Sequence, residues 1–398
     1  VLVMLITSKK WRAIAFQIIL VIFHFYTFFD TILVAAADIL SKEALRIQLE
    51  KVVGVYTNKS NSVLKDILSS QGLSDNKAIH DYFDRTLRKT VLVTGCNHGF
   101  INHLHNFKCF ADKLGMKFIV IAMDKLAYNY ITNNTSMVAY HMVGGAVGET
   151  TAHPQKFRSQ QFNLITARKK EAVHDILSLG YNVLFSDTDV AMIRDPLPYM
   201  LWENVDYVHS LNYMCKVDEK WDFHKSKVEG NTGFYFVRSN NNTIQLWANA
   251  YAAAPKYPRL DDQAVFWKVI RTSIIPPVLP LGLCRHFNTP SDLQLKPMKD
   301  TSDRYLVSCM IDTCVFSSGM ISRMYEPEFT YETLLSNLKL LNETICTLHA
   351  NYISGNEKKM ARMKEYGFWL AKQHPGTTQY TEECDNYIPY ELMPKSPK

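Results

Sequence analysis

The chain has 398 residues, 47% hydrophobic and 21% charged, with a formal net charge of +6. This composition builds a packed core and excludes a mainly disordered chain. The longest basic block is Arg168 to Lys170, so no nucleic-acid face is expected.

In chain order, Lys9, Lys10 and Arg12 precede an apolar run from Ala13 to Phe29, interrupted by Gln17, His24 and a few hydroxyls. The run reads as a membrane anchor with a cytosolic N-terminus and a lumenal remainder. A cleaved signal peptide is the alternative, because Ala35 and Ala37 offer a small-residue cleavage site. Both send the chain into the secretory pathway. Five Asn-X-Ser/Thr tripeptides (at Asn58, Asn133, Asn134, Asn241 and Asn342) agree, as do eight scattered cysteines without a CxxC pair. Cys309 and Cys314 are spaced to close a small loop, although connectivity does not follow from spacing. The organisation expected is tail and anchor over 1–40, a polar stem over 41–89 and a catalytic body over 90–398.

"TVLVTGCN", from Thr90, is a β-branched run ending in a turn, so a strand is expected. Leu104, Phe107, Phe110, Ala111 and Leu114 recur at helical spacing, with Gly115 as the stop. "KFIVIAMD" predicts a second strand. Phe162, Ile165, Ala172, Val173, Ile176 and Leu177 mark one helix face closed by Gly180, and "YNVLFSDTDV" follows as a strand. Strands are also expected over 204–213 and 233–239, with helices over "TIQLWANAYAAA" and "DDQAVFWKVI". Strands alternating with helices predict a mainly parallel sheet flanked by helices, with ligands bound beyond the strand carboxyl ends.

Asp187 and Asp189 fall at such an end. By themselves they read equally as turn and cap residues or as hard oxygen ligands for Mg²⁺ or Mn²⁺. "HANYISGNEKK" offers an imidazole, a glycine and two lysines, which suit a metal and a diphosphate or else an ordinary solvated surface. Asn231, Asp262 and Gln263 suit sugar hydroxyls, and they equally suit a turn and a helix start.

The linear order of Asn97, D-x-D, N-T-G, D-D-Q and H…G-x-x-K resembles a GT-A type glycosyltransferase. From Thr90 to Leu370 the chain resembles the nucleotide-diphospho-sugar transferase family that includes plant rhamnogalacturonan xylosyltransferases and extensin arabinosyltransferases. The resemblance implies an α/β, Rossmann-like GT-A domain behind its membrane helix and stem. It implies Mn²⁺ or Mg²⁺ held by Asp187, Asp189 and His349, and a diphosphate held by Gly355 and Lys358, with Lys359 as alternative. Thr94 and Asn97 would border the nucleoside, and Thr188 would lie along the nucleotide-sugar. Asn231, Asp262 and Gln263 would face the transferred sugar, and Arg168 or Lys169 would reach it or the diphosphate. Retention of configuration is implied, with Asp262 offsetting positive charge at the anomeric carbon and Gln263 beside it.

The implied partners are a UDP-sugar donor, a glycan or glycoprotein acceptor, and the Golgi membrane, with the catalytic domain lumenal. Assembly with itself or with other glycosyltransferases is a further expectation. The region around "HMVGGAVGETTAHPQKF" and the stretch after Pro276 depart from the family pattern, which leaves the acceptor open. A metal-dependent phosphoesterase and a silent glycan-binding partner are the rival readings.

Overall fold

The computed structural model describes residues 37–56, 77–142, 159–202, 205–211, 215, 229–272, 278–284, 305–318, 331–340 and 343–386. The chain divides into two compact units, Val1–Ile47 and Gln48–Lys398. In the first, the described residues 37–47 are helical. The apolar run Ala13 to Phe29 lies outside the described residues, and among the described residues no helix is long and apolar enough to cross a membrane.

The second unit holds an eight-stranded sheet of order β3-β2-β1-β4-β7-β6-β9-β8. Its strands are β1 (Thr90–Cys96), β2 (Phe118–Ala122), β3 (Val138–His141), β4 (Asn182–Ser186), β6 (Tyr207–Leu211), β7 (Gly230–Val237), β8 (Val278–Leu283) and β9 (Leu306–Met310). Strand β7 is antiparallel to both neighbours, β4 and β6, and the other pairings are parallel. Val91, Leu92, Val93, Val183 and Leu184 are fully buried, as parallel strands covered on both faces require. The chain steps from β1 outward to β2 and β3, then returns to place β4 on the other side of β1. Ligands collect at such a reversal.

The helices connecting these strands are α1 (Lys77–Arg88), α2 (Ile101–Lys113), α3 (Lys125–Asn134), α4 (Gln160–Ser178), α5 (Leu197–Met200), α6 (Asn241–Ala253) and α7 (Asp262–Thr272). Behind α2 and α4, Gly115 and Gly180 take φ of 66° and 85°, which lets the helix end turn back without a Cβ clash. A second, three-stranded sheet, β10-β11-β5, joins β5 (Val190–Met192), β10 (Phe316–Ser318) and β11 (Thr347–His349). Helices α8 (Tyr331–Leu340) and α9 (Asn356–Glu365) flank β11 in sequence, and the hairpin of β12 (Ala371–Gln373) and β13 (Tyr380–Cys384) closes the described chain.

The structure refines several sequence expectations. Val55, Tyr56, Phe83 and Leu87 are buried in the same core as Leu92, so packing carries the folded body N-terminal of Thr90, into residues read as stem. Strand β7 begins at Gly230, so the N-T-G tripeptide lies within a strand and not in the turn before it. Cys309 does not pair with Cys314. Cys284, just past β8, meets Cys309 on the adjoining β9, while Cys215 joins Cys314 and Cys109 joins Cys384.

His103 on α2 and His209 on β6 are buried, and burial is the main cause that pulls each ring from the ordinary 6.5 down to about 4. Both fold neutral, whereas the unfolded chain takes up a proton on each below pH 6.5. Their stability is therefore complete above that pH and is lost as pH falls toward 4, by about 3 kcal/mol per ring. Chemical unfolding of the wild type and His209→Phe at about pH 7.5 and about pH 4.5 checks this. The stability difference should move toward the variant at the lower pH by about 2–3 kcal/mol. A pH-independent difference would contradict a neutral buried His209.

Candidate functional site

Strand β4 ends at Ser186, and the next residues turn sharply, with Val190 N donating to Asp187 O at 3.2 Å. Two backbone bonds fix this turn. Asp187 N donates to Gly233 O at 2.7 Å, which ties it to β7, and Ala350 N donates to Asp189 O at 3.0 Å, which ties it to the end of β11. Register pairs His349 with Val190 across the small sheet. The two acids and the imidazole therefore converge, each offering a ligand atom, all within 4.8 Å of one another.

Glycine at position 233 makes room for that convergence. A Cβ there would lie 2.5 Å from His349 Cε1, 2.6 Å from Asp187 Oδ2 and 2.8 Å from Asn231 Oδ1. Asn231, itself buried, accepts from Gly233 N through Oδ1 at 2.6 Å and holds the strand in this shape. His349 Nε2 stands 3.2 Å from Asp189 Oδ1, while Nδ1 is buried without a partner among the described residues. Two hard carboxylates beside an imidazole with an unpaired buried nitrogen form a donor set that fits a divalent cation.

Each acid also meets an ammonium. Lys169 Nζ lies 2.5 Å from Asp187 Oδ1, Lys359 Nζ lies 2.5 Å from Asp189 Oδ2, and Lys170 Nζ lies 3.0 Å from Asp262 Oδ2. Burial pushes the Asp189 carboxyl up, but Lys359 and His349 outweigh it and hold the group well below the usual range. Burial likewise opposes ionisation of Asp262, and Lys170 with Lys169 reverses it. Asp187 is raised, by burial first, with Lys169 opposing and the nearby Asp189 charge adding to the rise. Lysines thus outweigh burial at Asp189 and Asp262, while burial outweighs Lys169 at Asp187.

The remaining residues proposed from sequence divide. Thr188 is buried in the turn between the two acids. Gly355 has φ of 97° and caps α9, which carries Lys359 into the site; Lys358, one position earlier, is exposed, so Lys359 is the lysine that reaches the acids. Asp262 opens α7, and Gln263 beside it is half-buried with no hydrogen bond to a described residue. Asn97 is buried at the end of β1, and Thr94 is fully buried within β1 with its hydroxyl unpaired among the described residues. Arg168 is not brought to the acids; it is inside the protein, and its Nη1 donates to Met142 O at 2.8 Å. Sequence reasoning passed over Lys170 and Thr232, which share Asp262, although "RKK" and "NTG" both drew notice.

A mainly parallel sheet whose point of reversal ends in two acids, an imidazole and paired lysines has the layout of an enzyme that handles a phosphorylated ligand through a cation. The profile of the nucleotide-diphospho-sugar transferase family matches residues 114–363, more than half of the chain. The chain belongs to that family, and it is a glycosyltransferase. A UDP-D-xylose:L-fucose alpha-1,3-D-xylosyltransferase of Arabidopsis thaliana is 25% identical, over 72% of this chain and 71% of its own. A UDP-galactose:fucoside alpha-3-galactosyltransferase of Dictyostelium discoideum is 24% identical over 70% of this chain, and the match covers 42% of that longer protein. Among solved structures, an active-site mutant of LgtC aligns over 69% of this chain and 94% of its own, with a TM-score of 0.31 and 10% identity, a likeness too low to define the fold.

Replacing Gly233 by alanine should separate the ligands while leaving the sheet paired. Calorimetric titration of Gly233→Ala with Mn²⁺ should show about tenfold or greater weakening, with far-ultraviolet circular dichroism unchanged and about 1–3 kcal/mol of stability lost to overpacking. Wild-type Mn²⁺ affinity in this variant would remove the convergence as the cation site.

Proposed function

We propose that the protein transfers a sugar from a UDP-sugar to a glycan acceptor with retention at the anomeric carbon, on a GT-A scaffold. The convergence of Asp187, Asp189 and His349, with Lys359 on Asp189, carries this reading. Mn²⁺ or Mg²⁺, bound by those ligands, would offset charge on the donor diphosphate. Lys359 and Lys169 bring two ammonium groups to the same place, where the departing UDP gathers negative charge as its bond to the anomeric carbon breaks. Asp262 and Gln263, at the first turn of α7, present side chains suited to the hydroxyls of the sugar being moved. The acceptor hydroxyl oxygen bonds to the anomeric carbon as the bond from that carbon to UDP breaks, and the hydroxyl proton passes to a phosphate oxygen of the departing UDP.

The two relatives named above act on L-fucose or a fucoside, with xylose in one and galactose in the other. A fucose-bearing glycan, joined through an alpha-1,3 linkage, is accordingly the acceptor proposed here. A Golgi setting, with a membrane anchor at Ala13 to Phe29 and a lumenal catalytic body, is part of the same reading. Three disulfides among the described residues support an oxidising lumen.

The test measures UDP release and product from a panel of UDP-sugars with Mn²⁺, with and without a fucoside. Acceptor-dependent release yielding an alpha-linked product is expected. Release that ignores the acceptor would favour a phosphoesterase, and absence of metal-dependent UDP binding would favour a silent partner. Asp189→Ala should lower turnover by about 10²–10³-fold or more with the fold intact. Near-normal Mn²⁺-dependent transfer by that variant would sink the site assignment.

A further inference from the structure

Asp262 was expected to offset positive charge at the anomeric carbon, but its surroundings suit another task. Lys170, whose side chain is only 5% exposed, donates to Asp262 Oδ2 at 3.0 Å, and Thr232 Oγ1 donates to the same oxygen at 3.0 Å. Two donors on one oxygen fix the plane of the carboxylate. No described residue donates to Oδ1, and the Asp262 side chain keeps 12% of its surface exposed. The N-terminus of α7 does not compete for it, because Asp261 Oδ1 already accepts from Ala264 N at 2.9 Å. Lys170 is held from behind as well, its Nζ lying 5.9 Å from the centroid of the Phe266 ring.

Lys169 links Asp262 to the candidate cation ligands. That ammonium bonds Asp187 and also feels the charges of Asp262 and Asp189, so Asp262 borders the cation ligands on the side of Lys169. A sugar joined to a diphosphate at those ligands would lie near Asp262. Because Lys170 neutralises Asp262, the pair brings little net charge to a cationic carbon. What it brings is a fixed acceptor for a hydroxyl. A site built around one hydroxyl rejects sugars that lack it or orient it differently far more strongly than an apolar wall does.

We propose that Lys170 and Thr232 are positioning residues for donor-sugar selection, pinning one oxygen of Asp262 so that the other is presented to a hydroxyl of the sugar. This rests on the UDP-sugar reading above and names what chooses the sugar. Lys170 sits in a run of three basic residues, yet it differs from its neighbours. Lys169 pairs with a candidate cation ligand and Arg168 bonds a backbone carbonyl, while Lys170 bonds Asp262.

The test uses the full chain with Mn²⁺, titrated calorimetrically with UDP and with UDP-xylose, UDP-galactose and UDP-glucose. The variants are Lys170→Met, Thr232→Val and the double substitution Lys170→Met with Asp262→Asn. The double variant removes both buried charges, so a folding defect from an unpaired Asp262 cannot mimic the result. In all three, UDP should bind within about twofold of wild type, while the preferred UDP-sugar weakens about tenfold or more and the ranking of the three sugars flattens. Parallel weakening of UDP and UDP-sugars would overturn the inference, as would wild-type sugar ranking in the double variant. If the wild type binds none of the three UDP-sugars, the donor reading itself falls and this inference falls with it.

Discussion

Asp187, Asp189 and Asp262 lie in a largely water-excluded site, with side chains 22%, 6% and 12% exposed, and each meets a lysine ammonium within 3.0 Å. Unpaired carboxylates in such surroundings would take up protons, because losing hydration costs several kcal/mol per ion. A protonated acid neither holds a cation nor stays acceptor-only. Pairing keeps the acids ready, and it also dictates where helices must lie. Lys169 and Lys170 are adjacent on α4 and point about 100° apart. Helix α4 therefore has to run between the end of β4 and the start of α7 for one lysine to reach Asp187 and the next Asp262.

The same constraint explains why the main sheet departs from a purely parallel pattern. Antiparallel β7 lies beside β4, so its early residues, Asn231 to Gly233, come level with the strand end that carries the acids. A parallel neighbour would bring its late residues there and the tripeptide elsewhere. With β7 reversed, Gly233 O receives Asp187 N, Thr232 reaches Asp262, and Asn231 braces the glycine. The small sheet finishes the site by turning β11 back along β5, which delivers His349 opposite Val190. Five sequence-distant segments thus meet around a patch of backbone with one missing Cβ.

The elements along "TVLVTGCN", "KFIVIAMD" and "YNVLFS" were legible because parallel strands buried on both faces show as continuous apolar runs ended by polar turns. Gly115 and Gly180 were legible as helix stops for the same local reason. Asp187, Asp189 and His349 were legible as candidate ligands by residue type and order, since D-x-D followed a strand and "HANYISGNEKK" set an imidazole beside a glycine and two lysines. What stayed hidden was set by packing. Nothing local says that Cys309 faces Cys284 and not Cys314, because that depends on which strand lies beside β9. Arg168 and Lys170 look alike in sequence, yet one is spent on the carbonyl of Met142 and the other on Asp262.

The lysines of α9 show where local reading stops. Lys358 and Lys359 are adjacent, and on a helix only one of two adjacent residues faces a given neighbour unless partners lie on both sides. Along α4 there are partners on both sides, so both lysines are used, Lys170 buried and Lys169 half-buried. Along α9 the partner among the described residues lies toward Asp189, so one lysine is used and the other is exposed. Which one is chosen depends on the phase at which α9 starts, and that phase is set by Gly355 at φ of 97°. A residue in that region can begin the helix at an angle that side-chain-bearing residues rarely adopt. The glycine six residues after His349 therefore selects Lys359 by setting the rotation of the helix that follows, whether or not it also touches a ligand.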